Sequence, residues 1–285
     1  MAGKKLDSLQ ANPLFKKRLP LLIIFSIFFN LQPALVLGQS TPEHISAEYI
    51  YGWENPQGFT QGAIKFQLAI GWKTYWRNPG QYGVRPIFNW QNSINVKDVT
   101  FSWPTPKVID EYDVKVLGYK HFLIVPVKIV KSNPSEKAVL KIDISIGVCS
   151  NICLLKKLNI DAVVTEVILK SSVDIIEIAL AATPKELSIH DTKMVTCSIE
   201  TNENSISAKY KLRFSNILIP DPIFIMEYST DNMRLEDQRI KITGNIITAE
   251  GSLNQISQNY GIIERDRLRG TFMHNNKSFE VIGCN

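Results

Sequence analysis

Apolar and polar residues alternate with a period of two along most of the chain beyond residue 41. The alternation is clear over residues 62–71, 96–103 and 137–146. Successive side chains of a β-strand point to opposite faces of a sheet, so this pattern predicts strands with one buried face. Turn-forming residues such as Asn78-Pro79-Gly80 separate the runs. Short strands with frequent turns predict a β-sandwich or a β-barrel.

Two further apolar runs are also predicted to be strands. Residues 121–130 contain Pro126, which cannot donate a hydrogen bond to a neighbouring strand. This run is therefore predicted to lie at a sheet edge or to contain a bulge. The second run covers residues 158–169.

Residues 172–182 show the spacing of a helix instead. Val173, Ile176 and Leu180 fall on one helical face, Ser172 is a candidate N-cap, and Pro184 ends the run. We predict a short helix that links two β-domains.

Alternation returns after this helix, over residues 188–199, 205–214, 223–228 and 240–249. The predicted fold is therefore all-β, with a β-sandwich at residues 39–170, a helical linker at 171–184 and a second, smaller β-domain at 185–285. All five tryptophans lie in the first of these domains and are interpreted mainly as core residues.

The first 38 residues have the pattern of a secretory signal peptide. Lys16, Lys17 and Arg18 precede an apolar run over residues 19–29, and cleavage is predicted after the small residue Gly38. A helix of that length spans about 16 Å, roughly half of the hydrocarbon core of a bilayer. An uncut membrane anchor is the alternative. The mature chain is predicted to reside in an oxidising compartment.

The positive charge of the chain is concentrated in that leader. The formal net charge is +5, of which residues 1–38 carry +4 and the remainder +1. A basic surface for nucleic acid is therefore not expected on the mature protein. Hydrophobic residues make up 45% and charged residues 21%, which excludes a disordered chain.

The four cysteines divide into two pairs by their spacing. A turn at Ser150-Asn151 would bring Cys149 and Cys153 close enough for a disulfide. A ring this small stabilises a fold by only about 2 kcal/mol, which favours a labile or catalytic bond. A Cys197–Cys284 bridge would close a far larger loop and contribute roughly 4.6 kcal/mol, which favours a structural disulfide.

Other interpretations of the Cys149 and Cys153 pair stay open at this point. It could be a structural disulfide, or a Cu(I) or zinc site, although the four histidines form no cluster around it. Lys156 and Lys157 follow directly and would favour a thiolate, unless they are simply solvent-exposed. No phosphate-binding loop, serine-hydrolase elbow or zinc-protease motif occurs, and we predict no cofactor and no resident metal.

Three features occur together in this chain. They are GWKTYWRNPG at residues 71–80, Trp103-Pro104 followed by Gly118-Tyr119, and the CSNIC string at residues 149–153. In this order they resemble the periplasmic N-terminal domain family of the thiol:disulfide interchange protein DsbD. The likeness is closest to the subgroup linked to suppression of copper sensitivity, and it covers about residues 45–170. The cysteine spacing is shorter here, and neither a membrane domain nor a thioredoxin-like domain is expected in this chain.

This resemblance implies an immunoglobulin-like β-sandwich in which Cys149 and Cys153 are the redox-active pair. Cys153 would form mixed disulfides with partner proteins. An aromatic cap shields the pair in the family. The candidate residues for the cap or for partner binding are Tyr119, His121, Phe122 and Trp76.

The resemblance also implies a location in the periplasm and a function. The protein would accept electrons from a thioredoxin-like protein or a membrane donor. It would pass them to oxidised periplasmic proteins, such as disulfide isomerases or cytochrome c maturation factors, as a protein-disulfide reductase or an interchange component. The alternatives are a non-catalytic periplasmic binding or scaffold module with structural disulfides, and a Cu(I)-binding copper-tolerance protein.

Overall fold

The computed structural model describes most of the chain beyond the leader. The described ranges are residues 44–79, 83–111, 114–165, 169–187, 192–202, 205–214, 223–228, 233–255, 264–274 and 277–283. The predicted signal peptide lies outside them. Within these ranges, no helix combines the length and the apolar character needed to span a membrane.

The first β-domain consists of two antiparallel sheets. The strands of one sheet are β1 (Ile45–Asn55), β2 (Phe59–Leu68), β5 (Val96–Phe101) and β8 (Phe122–Lys131), in the order β1-β2-β8-β5. The strands of the other are β3 (Lys73–Tyr75), β4 (Ile87–Asn89), β6 (Lys107–Glu111), β7 (Val114–Lys120), β9 (Ala138–Cys149) and β10 (Cys153–Val164). Their order is β10-β9-β3-β7-β6, and β4 also pairs with β9.

The alternating sequence explains why the two sheets pack face to face. On β9 the even-numbered residues from Ala138 to Val148 are buried between the sheets, whereas Asp143 is exposed on the outer face. Ile64 of β2 and Val125 of β8 belong to the same core from the other side. The predicted all-β sandwich is confirmed.

The prediction that Pro126 marks an edge strand or a bulge is wrong. β8 lies between β2 and β5, and Pro126 stands opposite Ala63 in an uninterrupted register. The Pro126 carbonyl points toward β5, where it accepts a hydrogen bond from the Ser102 N–H. The N–H and the carbonyl of a strand residue point to the same side, so the N–H that proline lacks would also have faced β5. β5 ends at that position, with Phe101. The proline therefore ends the neighbouring strand and leaves β8 intact.

The helix α1 (Lys170–Ala181) joins the two β-domains, as predicted. Its buried residue Ile176 packs over Gly52 of β1, where an added Cβ would lie 3.0 Å from the Ile176 Cδ1 atom. Leu169 occupies the N-cap position without a side-chain cap. The predicted cap at Ser172 is therefore wrong, because Ser172 lies in the first turn.

The second β-domain also contains two sheets. The strands of one are β11 (Lys185–Glu186), β14 (Ile223–Tyr228), β17 (Leu268–His274) and β18 (Lys277–Ile282), in the order β11-β18-β17-β14. The strands of the other are β12 (Thr192–Asn202), β13 (Ser205–Phe214), β15 (Met233–Thr243) and β16 (Ile246–Gln255), in the order β12-β13-β16-β15. A 3₁₀ turn at Arg265–Arg267 precedes β17.

Residues 240–249 form a hairpin, although their alternation predicted a single strand. β15 ends at Thr243 and β16 begins at Ile246, and the two strands pair antiparallel. Gly244 has a φ of 60°, a conformation that glycine adopts without strain and that tight hairpin turns require. Gly244 and Asn245 therefore form a turn that the alternation of apolar and polar residues did not predict.

A cluster of charged side chains joins the first β-domain to the second. Arg77, which follows β3, donates from Nη2 to Oε2 of Glu227 at 2.9 Å and also pairs with Glu280. The Nε atom of Arg269 lies 3.6 Å from Glu280, so two cations face two carboxylates. Burial alone would lower the pKa of Arg77, but the two carboxylates outweigh it and raise that pKa.

We expect Arg77→Met to lower the free energy of unfolding by about 3–5 kcal/mol, because it leaves buried carboxylates without their main cation. Urea denaturation monitored by tryptophan fluorescence measures the change. The control is Glu48→Gln, which breaks the exposed Lys65–Glu48 pair and should cost at most about 1 kcal/mol. Equal losses in the two variants would show that the interdomain cluster does not stabilise the fold.

Candidate functional site

A disulfide closes the turn between β9 and β10. Cys149 is the last residue of β9 and Cys153 the first of β10, and the two stand directly opposite each other in the antiparallel register. Their Cα atoms are 4.1 Å apart and their sulfurs are bonded. The Ser150 N–H donates a hydrogen bond to the Ile152 carbonyl at 2.9 Å. The turn that the short spacing predicted is therefore present.

The two cysteines differ in their exposure to solvent. Both cysteines are odd-numbered and face outward from the sandwich, on the side opposite to the main core. Cys149 is 1% exposed because it packs in a small apolar cluster with Tyr75, Ile109 and Val116. Cys153 is exposed at the start of the edge strand β10. A thiolate from another protein therefore has access to Cys153 and not to Cys149.

The hydroxyl of Tyr75 is a hydrogen-bond donor to this disulfide. Its oxygen lies 2.9 Å from the Cys149 sulfur and 3.7 Å from the Cys153 sulfur. A disulfide carries no proton, so the tyrosine is the donor in both contacts. Burial raises the pKa of Tyr75, which keeps the hydroxyl protonated at neutral pH. The donor is placed to hold a negative charge when the disulfide opens and Cys149 becomes a thiolate.

Gly147 makes room for the Tyr75 ring. A Cβ at this position would lie 2.6 Å from the Val84 Cβ and 3.2 Å from Cδ2 of Tyr75. A Cβ at 2.6 Å from another carbon overlaps it, so residue 147 must be glycine for Val84 and Tyr75 to pack over the strand. The outer face of β9 is therefore shaped to bring the tyrosine to the disulfide.

A buried lysine occupies the other side of Cys149. Lys73 on β3 is the direct register partner of Cys149 on β9 and of Lys120 on β7. Its side chain is 2% exposed. Burial, together with repulsion from Lys120, lowers the pKa of Lys73. Neither Lys73 nor Tyr75 was singled out from the sequence, although their spacing of two places both on one face of a strand.

Trp76 and Tyr119, two of the candidate residues for a cap or for partner binding, lie inside the domain. Trp76 has no exposed surface, and Tyr119 donates from its hydroxyl to the Pro104 carbonyl at 2.6 Å and stacks on Trp103. Their burial argues against a direct contact with a partner. Both side chains serve as core.

His121 and Phe122 lie on the surface, at the same end of the sandwich as the disulfide. His121 forms the turn from β7 to β8 and Phe122 is the first residue of β8. The His121 carbonyl accepts a hydrogen bond from the Leu68 N–H at 2.8 Å. Large apolar side chains are more than half exposed in this part of the domain. We call them the apolar rim: Ile70, Phe122, Ile152 and Leu155.

The remaining predicted groups are less informative. Cys197 lies on β12, but Cys284 lies outside the described residues, so their bridge stays a prediction. Lys156 points to the opposite face from Cys153, and Lys157 lies four residues along β10, about 13 Å away for an extended strand. In the described part of the chain, no three His, Cys, Asp or Glu side chains are grouped so that they could hold a metal ion.

An antiparallel β-sandwich with a half-exposed disulfide between adjacent strands defines a class of candidate redox domain. Comparison with known proteins agrees with this class. Residues 43–164 match the family described as "Thiol:disulfide interchange protein DsbD, N-terminal". The match covers the first β-domain and confirms the resemblance seen in the sequence.

The solved structures extend the likeness beyond the first domain. The crystal structure of the N-terminal periplasmic domain of ScsB from Proteus mirabilis matches with a TM-score of 0.60 and 21% identity. The match covers 87% of this chain and 97% of that chain, so the shared fold includes the second β-domain. No curated protein matches the sequence.

We expect Tyr75→Phe to make the disulfide harder to reduce. The lost hydroxyl stabilises a Cys149 thiolate more than a disulfide sulfur, so the variant destabilises the reduced form and lowers the reduction potential. The net contribution of such a hydrogen bond is about 0.5–1.5 kcal/mol, which corresponds to a decrease of roughly 10–30 mV in the reduction potential. Equilibration with dithiothreitol buffers measures it, and Tyr51→Phe on β1 is the control. A potential that rises or stays constant would contradict the assignment.

Proposed function

We propose that this protein is a periplasmic thiol-disulfide exchange protein that carries electrons through Cys149 and Cys153 to oxidised periplasmic proteins. The observation that carries the proposal is that one disulfide joins an exposed cysteine to a buried cysteine, with Tyr75 as a hydrogen-bond donor to the sulfur of the buried one. The family match of the first β-domain supports the same chemistry. A bond that served only to stabilise the fold would need neither feature.

Reduction of the protein begins at the exposed sulfur. A thiolate of a dithiol donor attacks Sγ of Cys153, the Cys149–Cys153 bond breaks, and its electron pair stays on Sγ of Cys149. The second thiolate of the donor then attacks the donor sulfur that is bonded to Cys153, and Cys153 is released as a thiolate. The donor leaves as a disulfide, and two electrons have moved to this protein.

Delivery of the electrons runs through the same atoms in the opposite order. The Cys153 thiolate attacks a disulfide in the acceptor and forms a mixed disulfide, while one acceptor cysteine leaves as a thiolate. Cys149 then attacks Cys153, releases the second acceptor thiolate and restores the disulfide. The register holds Cys149 opposite Cys153, so the resolving sulfur is at high effective concentration and the mixed disulfide is short-lived.

The apolar rim supplies a surface on which a partner can dock beside Cys153. Its four side chains come from the β2–β3 loop, the start of β8, the β9–β10 turn and β10, and each is more than half exposed. We propose thioredoxin-like proteins, and a membrane protein with a reducible disulfide as donor, as the partners. His121 and Phe122 would contact them, whereas Trp76 and Tyr119 would support the domain from within.

We predict opposite phenotypes for the two cysteine variants. Cys153→Ser removes the sulfur of this pair that a partner can reach and should abolish electron transfer. Cys149→Ser removes the resolving thiol and should accumulate mixed disulfides with partner proteins. Acid quenching, alkylation and non-reducing electrophoresis of periplasmic extracts measure both, and mass spectrometry identifies the protein bound to Cys153.

Two controls make the result specific. Ser150→Ala alters the turn without touching a sulfur and should transfer electrons at the wild-type rate. The Cys149→Ser adducts should disappear on treatment with excess dithiothreitol. Normal electron transfer by both cysteine variants would refute the proposed site.

A further inference from the structure

Lys73 is buried in the first β-domain, beside the disulfide, at a position where the exchange chemistry places a negative charge. We propose that Lys73 is a positioning residue for this reaction, whose ammonium group stabilises the Cys149 thiolate whenever the disulfide is open. The inference rests on the proposed function and assigns a role that the cysteines and Tyr75 do not fill.

The strand register places Lys73 next to Cys149. The two are direct partners in the antiparallel β3–β9 pair, and the side chains of such partners lie on the same face with Cβ atoms about 4.5–5.5 Å apart. Tyr75 confirms the face, because it lies two residues after Lys73 and its hydroxyl reaches the Cys149 sulfur. Lys73 and Tyr75 therefore flank the same buried sulfur from one short strand.

Burial makes this cation responsive to a change of charge on Cys149. In the disulfide form, burial and the neighbouring Lys120 both lower the pKa of Lys73, so its positive charge is held at a cost. A thiolate on Cys149 reduces that cost, because an opposite charge in a poorly solvated site favours the charged form of both groups. By the same coupling, Lys73 lowers the pKa of the Cys149 thiol.

The coupling acts in the step that breaks the disulfide. When a donor thiolate bonds to Cys153, the electron pair of the broken S–S bond stays on Cys149, and Lys73 and the Tyr75 hydroxyl face that charge. A leaving thiol with a lower pKa leaves faster. Lys73 therefore accelerates reduction at Cys153 without contacting the attacking partner.

The direction in which the pKa of the Cys149 thiol is shifted tests the proposal in the full chain. In the Cys153→Ser variant, Cys149 is a free buried thiol, and its thiolate absorbance near 240 nm is followed as a function of pH. Among the described residues, the strand register and the hydrogen bonds place Lys73 and Tyr75 on β3 closest to it, with Lys120 on β7 as the next cation and the acidic residues Asp110 and Glu111 at the end of β6. Burial alone raises a thiol pKa above its ordinary value of about 8.5, whereas a paired cation lowers it. A pKa below that value supports the proposal, and one above it overturns the proposal.

Substitution of the lysine gives a second test. In the Cys153→Ser background, Lys73→Met keeps the length of the side chain, removes the charge, and should reduce the thiolate fraction at pH 7 about tenfold. Lys157→Met is the matched control, because it removes an exposed lysine four residues along β10, and it should change that fraction less than twofold. Equal effects of the two substitutions would contradict the proposal, and Tyr75→Phe gives the separate contribution of the hydroxyl.

The Lys73→Met and Lys157→Met variants are also compared with both cysteines present. This comparison tests the role of Lys73 independently of the proposed electron transfer between proteins. Lys73→Met should slow reduction by dithiothreitol about tenfold, and Lys157→Met should leave the rate within twofold. A small-molecule dithiol needs no docking surface, so this result does not depend on protein partners. A low Cys149 pKa in a protein that exchanges with no partner would leave the Lys73 inference standing and reject the electron-transfer role.

Discussion

The antiparallel pairing of β9 with its two neighbours is the constraint on which the site depends. On one side the register sets Cys153 opposite Cys149, and on the other side it sets Lys73 opposite Cys149. A slip by one residue would turn these side chains toward the core face of the sheet. Because the even-numbered residues of β9 fill that core, the hydrophobic effect fixes the register and, with it, the chemistry on the outer face.

A single short segment connects the candidate site with the second domain. Within residues 73–77, Lys73 and Tyr75 face Cys149, Trp76 fills the core, and Arg77 pairs with carboxylates of the second domain. β3 has only three residues, so few backbone hydrogen bonds hold it in the sheet. The packing of Trp76 and the ion pairs of Arg77 therefore help to fix the position of the Tyr75 hydroxyl. The second β-domain acts as a support for the site.

The sequence predicted the longer strands and the turn of the disulfide, and it predicted the environment of the site poorly. Apolar runs identified β2, β5, β8 and β9 and part of β10, and the Cys149–Cys153 spacing predicted the turn, because both are local properties of the chain. β1 and the shorter strands β3, β4, β6 and β7 were not predicted. Lys73 approaches Cys149 only through the pairing of strands more than seventy residues apart, so attention to neighbours in the sequence pointed to Lys156 and Lys157 instead. The hairpin at Gly244 was hidden for a related reason, since its flanking strands continue one alternating pattern.

We propose that the Cys149–Cys153 bond is a redox centre and not a structural bond. Its reduction potential tests this most directly, measured on the wild-type protein equilibrated in glutathione buffers and then in dithiothreitol buffers. Structural disulfides of secreted proteins lie below about −300 mV. We expect a potential above that value, within reach of thioredoxin-like proteins. A potential well below it would show that the disulfide is a fixed part of the fold and not a redox centre.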